Sequence, residues 1–338
     1  SSRCSRPDLL RRERDRRLIT VLCANAGIDK TYEVPNFVVG GFYHPSHTVT
    51  TAGGKGINVA RVLALLGVPH RVTGFAGGNN GRYLTRQLLD SGSQSDFVTI
   101  AEESRVTITV VDRVQHTHTR VDEVGALVTP GEVDKLISKW RRLMSETRLA
   151  VISGSAPRGV SKELYAELTE IARAAKVPLV LDAHDELLER ALTARPMMIK
   201  PNLAELQRLM RRQLSVPDGV IEAGRELLAQ GVSLVVVTMG ARGALGVTQG
   251  HGIWLAVPPK VPVVNPVGSG DAFLAGFLAA SLQRLGFDER LRLATAAGAA
   301  NVTALAPGQF PRGLLDELAP QVKIERLDRQ ECGPPEPN

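Results

Sequence analysis

The alternation of apolar runs of strand length with stretches of helical periodicity constrains this chain more than any other feature. "LITVLCA" (18 to 24), "LAVIS" (149 to 153), "VPLVLDA" (177 to 183), "PMMIK" (196 to 200) and "SLVVVTM" (233 to 239) read as strands buried on both faces. Between them, "INVARVLALLG", "SKELYAELTEIARAAK", "NLAELQRLM" and "DGVIEAGRELLAQG" carry apolar stripes at helical spacing, punctuated by Gly, Pro or Ser. Repeated β-α-β alternation predicts an α/β fold, a doubly wound and mostly parallel sheet covered on both faces. Ligands are then expected at the carboxyl ends of the strands. A hydrophobic content of 43% with only 4% aromatic residues suits such a fold better than a β-sandwich.

Two segments break the rhythm. Residues 31 to 51 and residues 105 to 123 alternate polar with β-branched residues and read as half-exposed antiparallel strands. They form either a small β-sheet lid over the site, with an edge free to pair with a second copy, or an edge extension of the main sheet. Residues 18 to 320 are expected to form the main domain, between an extension (1 to 17) and a C-terminal tail (321 to 338).

The formal charge of +6 suggests a polyanion partner until the charges are located. The first 17 residues hold seven Arg against three acids, which leaves about +2 for the rest. The body is therefore not strongly basic, and a nucleic-acid partner is not expected. The extension lacks the apolar core of a secretory signal, and no uninterrupted apolar run is long enough to span a membrane. Cys4, Cys23 and Cys332 show no metal spacing, and an odd count fits a reducing compartment, so a cytoplasmic location is expected. His44, His47, His116 and His118 fall in the lid segments without an acid or Cys to complete a ligand set.

In "VVNPVGSGDAFLAGF" (263 to 277) a strand ends in glycines and turns at once into a helix. Gly268 and Gly270 let backbone amides converge, so those of Ser269, Gly270 and Asp271 can hold a phosphate at the positive end of the helix. Asp271 is then placed to take a proton from an attacking hydroxyl. On the other reading it is a first-turn acid beside a tight loop. A second Gly-rich helix start, "TAGGKGINVARVLALLG" (51 to 67), has Gly56 after Lys55 and is not a Walker A loop. Lys55 suits a phosphate and Asn58 a sugar hydroxyl, unless the segment is a plain turn with a solvated lysine.

These two loops resemble the signature regions of the ribokinase-like, or PfkB, carbohydrate kinases. "SGSAPRGV" (153 to 160), "IKPNLAEL" (199 to 206) and "VVTMGARGAL" (236 to 245) fall between them in that family's order. "GGKGINVAR" followed by "LGV", with "NAGIDKTYEV" upstream, is most similar to the branch of 1-phosphofructokinase and tagatose-6-phosphate kinase. Ala26 and Gly27 stand where the family often has Pro, and Asn265-Pro266 replaces a more frequent Asp-Thr.

The resemblance implies a ribokinase-like fold and transfer of the ATP γ-phosphate, with Mg2+, to a sugar hydroxyl. Asp271 would be the base and Gly268, Ser269 and Gly270 the anion hole. Asp29 and Asn58 would hold sugar hydroxyls beside Gly54. Lys200, Asn202 and Glu205 would lie near the phosphates and a hydrated Mg2+, although Asn202 and Glu205 equally spell a helix capping box. Thr238, Gly240 and Gly243 would line the ATP cleft, with Asn301 near the adenine. Arg105 and Arg120 suggest a phosphorylated sugar, a ketohexose monophosphate such as fructose 1-phosphate, fructose 6-phosphate or tagatose 6-phosphate, with Ser153 assisting. The alternatives are two solvated arginines, a kinase for a free sugar or nucleoside, or a sugar-phosphate-binding regulator without turnover. A homodimer joined through lid strands is expected.

Overall fold

The structure, a computed structural model, describes residues 18–328, so the basic extension and the last ten residues lie outside it. An 11-stranded sheet forms the middle layer. Its parallel centre runs Leu234–Thr238, Met198–Ile199, Leu179–Asp182, Thr147–Ser153, Leu18–Cys23 and His70–Gly77. Successive side chains in these strands enter different cores: Val21, Val151, Val180 and Val236 pack with the helices Lys55–Leu65, Ser269–Leu282 and Phe287–Asn301. Leu22, Ile152, Leu181 and Val237 pack on the opposite face, against Leu136, Leu168, Leu188 and Leu227. Burial of both strand faces is why these strands read as unbroken apolar runs.

Residues Ala244–Thr248, Gly252–Val257 and Lys323–Arg326 extend one edge antiparallel. The last of these corrects the expectation of a tail from residue 321. Ile324, the residue paired with Ala256, packs against the core beneath the Phe287–Asn301 helix and holds the segment in place.

The lid is a separate four-stranded sheet, not an extension of the main one, in the order His47–Gly53, Gly27–Glu33, Arg105–Asp112, Thr117–Asp122. Two expectations about it are revised. Gly27–Glu33 and Arg105–Asp112 pair in parallel, which the more than seventy residues of chain between them permit and a tight hairpin would not. Residues 34 to 46 form a loop instead of continuing the strand, as Pro35, Gly40, Gly41 and Pro45 interrupt its ladder. Asp29 consequently sits inside a lid strand, paired with Thr51 and Thr107.

Candidate active site

The cleft between lid and sheet has a volume of about 1030 Å³ and runs along the carboxyl ends of the parallel strands. At its centre the chain turns from Pro266 into the helix Ser269–Leu282. Gly268 adopts φ 81°, and a Cβ there would lie 2.6 Å from Cβ of Pro307, so only glycine fits this turn. The amide of Ser269 donates to the carbonyl of Pro266 at 3.3 Å, and its hydroxyl donates to the same oxygen at 2.6 Å. Ser269 is thus spent on the turn. The first-turn amides of Gly270 and Asp271, which have no intrahelical acceptor, remain to receive an anion.

Asp271 is only 5% exposed. Burial and the neighbouring Asp182 carboxylate raise its pKa to about 6, against the pull of Lys55, a hydrogen bond from Asn58, and Lys200. Asn58 Nδ2 donates to Asp271 Oδ2 at 2.9 Å.

Asp182 ends an apolar strand and is fully buried. Its Oδ1 lies 3.3 Å from Lys55 Nζ and 3.4 Å from Lys200 Nζ. Although burial favours the neutral acid, the two ammonium groups hold its pKa below the usual carboxylate value. Lys55 is pushed the other way: burial lowers its pKa, but Asp182, Glu205 and Asp271 together raise it above the ordinary lysine value. Lys200 Nζ lies 3.3 Å from the position a Cβ would take on Gly270, directly beside the turn that opens the helix Ser269–Leu282.

At the lid end, Asp29, Gly54, Arg105 and Arg120 line the cleft. Burial raises the Asp29 pKa, opposed by Arg120, Arg105 and Arg61. A Cβ on Gly53 would sit 2.2 Å from the Asp29 carboxylate, so the side chain can lie flat only over a glycine. Arg120 pairs with Asp122 at 2.9 Å, and Arg105 lies 3.7 Å from the same carboxylate oxygen. His118 Nε2 meets the carbonyl of Val264 at 2.8 Å and ties the outer lid strand to the chain entering the turn at Gly268. Among the described residues no cluster of His, Cys, Asp and Glu could serve as a metal ligand set.

At the other end, Asn202 and Glu205 form the reciprocal capping box, with Glu205 N donating to Asn202 Oδ1 at 2.9 Å and Asn202 N to Glu205 Oε2 at 2.8 Å. Glu205 Oε1 is left facing Lys55 at 3.5 Å. With both Glu205 oxygens and the Asn202 Oδ1 already engaged within the protein, this pair suits an ion that keeps its water shell better than one bound directly. Thr238, Gly240 and Gly243 line the wall beyond, followed by Val257, Pro258, Val263, Ala299 and Val302, which make that end apolar.

The model of the pfkB family carbohydrate kinases matches residues 26–310. The chain belongs to this family. It is 34% identical over 310 residues to a 1-phosphofructokinase of Rhodobacter capsulatus, covering 91% of this chain and 98% of that one. Among solved structures, phosphofructokinase-2 of Escherichia coli superposes with a TM-score of 0.84 at 28% identity, over 90% of this chain and 99% of that one. A possible 1-phosphofructokinase of Thermotoga maritima gives 0.84 at 26%, covering 92% and 99%.

In this PfkB kinase two residues predicted for the site stand behind it. Ser153 is fully buried, and its hydroxyl donates to Asp182 Oδ2 at 3.4 Å, because its strand pairs Ser153 with Asp182 and turns both side chains inward. Ser155, two residues on, lines the cleft and accepts a hydrogen bond from Asn25. Asn301 is buried: its amide donates to Val267 O at 2.8 Å and its oxygen accepts from Gly308 N at 2.7 Å, so it braces the turn and does not line the cleft. Sequence reasoning missed Asp182, Arg61 and Asn25. A carboxylate closing an otherwise apolar strand was the available signal for Asp182.

Proposed function

We propose that this sugar kinase transfers the γ-phosphoryl group of ATP to a hydroxyl of a ketohexose monophosphate and yields the bisphosphate. The observation that carries this reading is that Arg105 and Arg120, from two lid strands, face the same cleft as Asp29 and Asp271. An arginine fork matches a phosphate dianion, and arginines on a lid link closure to the presence of that phosphate. The 1-phosphofructokinase name of the relative and the fructose-6-phosphate complex of E. coli phosphofructokinase-2 support the substrate class. Fructose 1-phosphate, fructose 6-phosphate and tagatose 6-phosphate are the candidates.

In this reading Asp29 and Asn58 orient the sugar so that one hydroxyl points at Asp271. Asp271 takes the hydroxyl proton, a new O–P bond forms to the γ-phosphorus, and the bond to the bridging oxygen breaks to release ADP. The amides of Gly270 and Asp271 and the positive end of the helix receive the charge on the transferring group. Lys55 and Lys200 add two fixed charges held in place by Asp182. Asn202 and Glu205 would hold the water shell of Mg2+, which would offset phosphate charge. The apolar end of the cleft suits the flat face of a nucleotide base. His118 and Val264 would hold the lid down to keep water from the phosphoryl group. The same reading includes a homodimer through the lid, supported by Val39 (99% exposed) and Phe42 (88%) on its loop.

The test is ADP release from Mg-ATP with a panel of free and phosphorylated ketohexoses, with Asp271→Asn in parallel. Turnover of one hexose phosphate, lost in the variant, establishes the reading. Arg120→Ala should then raise KM for that sugar by about ten-fold or more and leave KM for ATP unchanged. The Asp122 contact favours a second reading, in which both arginines are engaged by this carboxylate and the acceptor is a free sugar. Consumption of free hexose alone would select it.

A further inference from the structure

"GGKGINVAR" ends in an arginine whose purpose is not evident from the motif. Arg61 lies on the helix Lys55–Leu65, one turn after Asn58. Its guanidinium donates to Asn58 Oδ1 at 3.1 Å and to the carbonyl of Pro307 at 2.8 Å, and its second terminal nitrogen donates to the carbonyl of Ala52. These acceptors belong to three segments that meet at the site. Ala52 is in the lid strand beside Gly53. Asn58 holds Asp271. Pro307 packs on Gly268, where the anion-binding turn begins.

The geometry gives the Asn58 amide one orientation. An arginine has no acceptor and an ionised carboxylate has no donor, so Oδ1 must face Arg61 and Nδ2 must face Asp271. Without the guanidinium, the amide could turn and set its oxygen against the carboxylate.

We propose that Arg61 is a positioning residue for the catalytic base: it fixes the Asn58 amide so that Nδ2 is delivered to Asp271 Oδ2. It simultaneously ties the end of the lid strand to the loop that backs the anion-binding turn. The inference rests on Asp271 being the base. The charged groups facing Asp271 from the surrounding elements are Asp182, Lys55 and Lys200, with Arg61 itself close enough to interact. Arg61 therefore has a direct charge effect as well as the effect carried by Asn58, and the test must separate them.

A double-mutant cycle does so, with kcat and the acid limb of kcat/KM measured for the parent, Arg61→Met, Asn58→Ala and the double variant. Arg61→Met is expected to lower kcat by about ten-fold or more and to move the acid limb to higher pH, with KM for ATP unchanged. Asn58→Ala should do the same, and the double variant should lose clearly less than the product of the two single losses, the shortfall being the part of the Arg61 effect carried by Asn58 and the remainder its direct charge effect. Should Arg61→Met not fold, as judged by melting and ATP binding, the cycle is run with Arg61→Lys, which keeps the charge and the stem but loses the fork. The proposal is overturned if the two losses multiply, or if replacing Arg61 leaves kcat and the acid limb where they were. Full activity in Asp271→Asn would instead remove the base assignment beneath it, an outcome distinct from either.

Discussion

Asn58 Nδ2 and Asp271 Oδ2 lie 2.9 Å apart although 213 positions separate them in the chain. This contact joins the helix Lys55–Leu65 to the start of the helix Ser269–Leu282, where the proposed reaction places the transferring phosphoryl group, and it leaves Asp271 Oδ1 free of that bond. Asp271→Asn removes the proton acceptor while keeping the shape of the side chain. Turnover should fall by roughly 10²- to 10⁴-fold with ATP binding retained, as read by ADP release and nucleotide titration.

The pH dependence of turnover follows from the same carboxylate. Asp271 accepts a proton only when ionised, and its pKa is raised to about 6 by burial and Asp182. Activity should therefore be full above neutrality and fall as pH drops through about 6, well above the ordinary carboxylate value of 3.8. An acid limb near pH 4 would place the base elsewhere.

Stability should change in the opposite sense. A carboxyl group whose pKa is raised on folding binds its proton more tightly in the native state, so its favourable contribution is complete below the unfolded value and is lost as pH rises through about 6. At pH 7 and above the buried charge costs up to about 3 kcal/mol. Asp271→Asn should melt at a higher temperature than the parent near neutral pH, and the gain should vanish in melts below about pH 4.

Gly53 lies under the Asp29 carboxylate. In Gly53→Ala the new methyl would occupy that position, and the displaced atoms are the end of a side chain, so the fold should survive. KM for the sugar substrate should rise by about ten-fold, as in Asp29→Ala, while KM for ATP stays constant. An unchanged KM for the sugar would remove Asp29 from substrate contact.

Thr295 lines the cleft and is 5% exposed, and its hydroxyl is the one buried side-chain polar atom among the described residues with no hydrogen-bond partner. Thr295→Val keeps the shape and deletes the orphan. The free protein should gain about 1 kcal/mol, read as a higher melting temperature. If the hydroxyl meets a polar atom of the nucleotide, KM for ATP should rise in the same variant.

The sequence by itself determined the layered α/β fold, the two Gly-rich helix starts and the position of Asp271 in the first turn of its helix. Each is written in local terms: runs apolar on both faces, helical spacing, and glycines where a strand turns into a helix. Tertiary structure decided which residues share the site. Ser153 and Asp182 both end apolar strands, and the register of those strands points one carboxylate at two lysines and spends the serine on holding it. Since a strand alternates faces at every residue, one step of register separates a ligand contact from a buried support. Asn301 was placed near the adenine only by the family resemblance, and only the loop from Ala306 to Gly308 packed beside it shows that its amide braces the turn. Arg61 was visible in its motif, yet its role depends on Ala52, Asn58 and Pro307 converging from separate parts of the chain. Periodicity and turn chemistry are properties of neighbouring residues, whereas an active site is made of contacts between distant ones that exist only once the sheet has set their register.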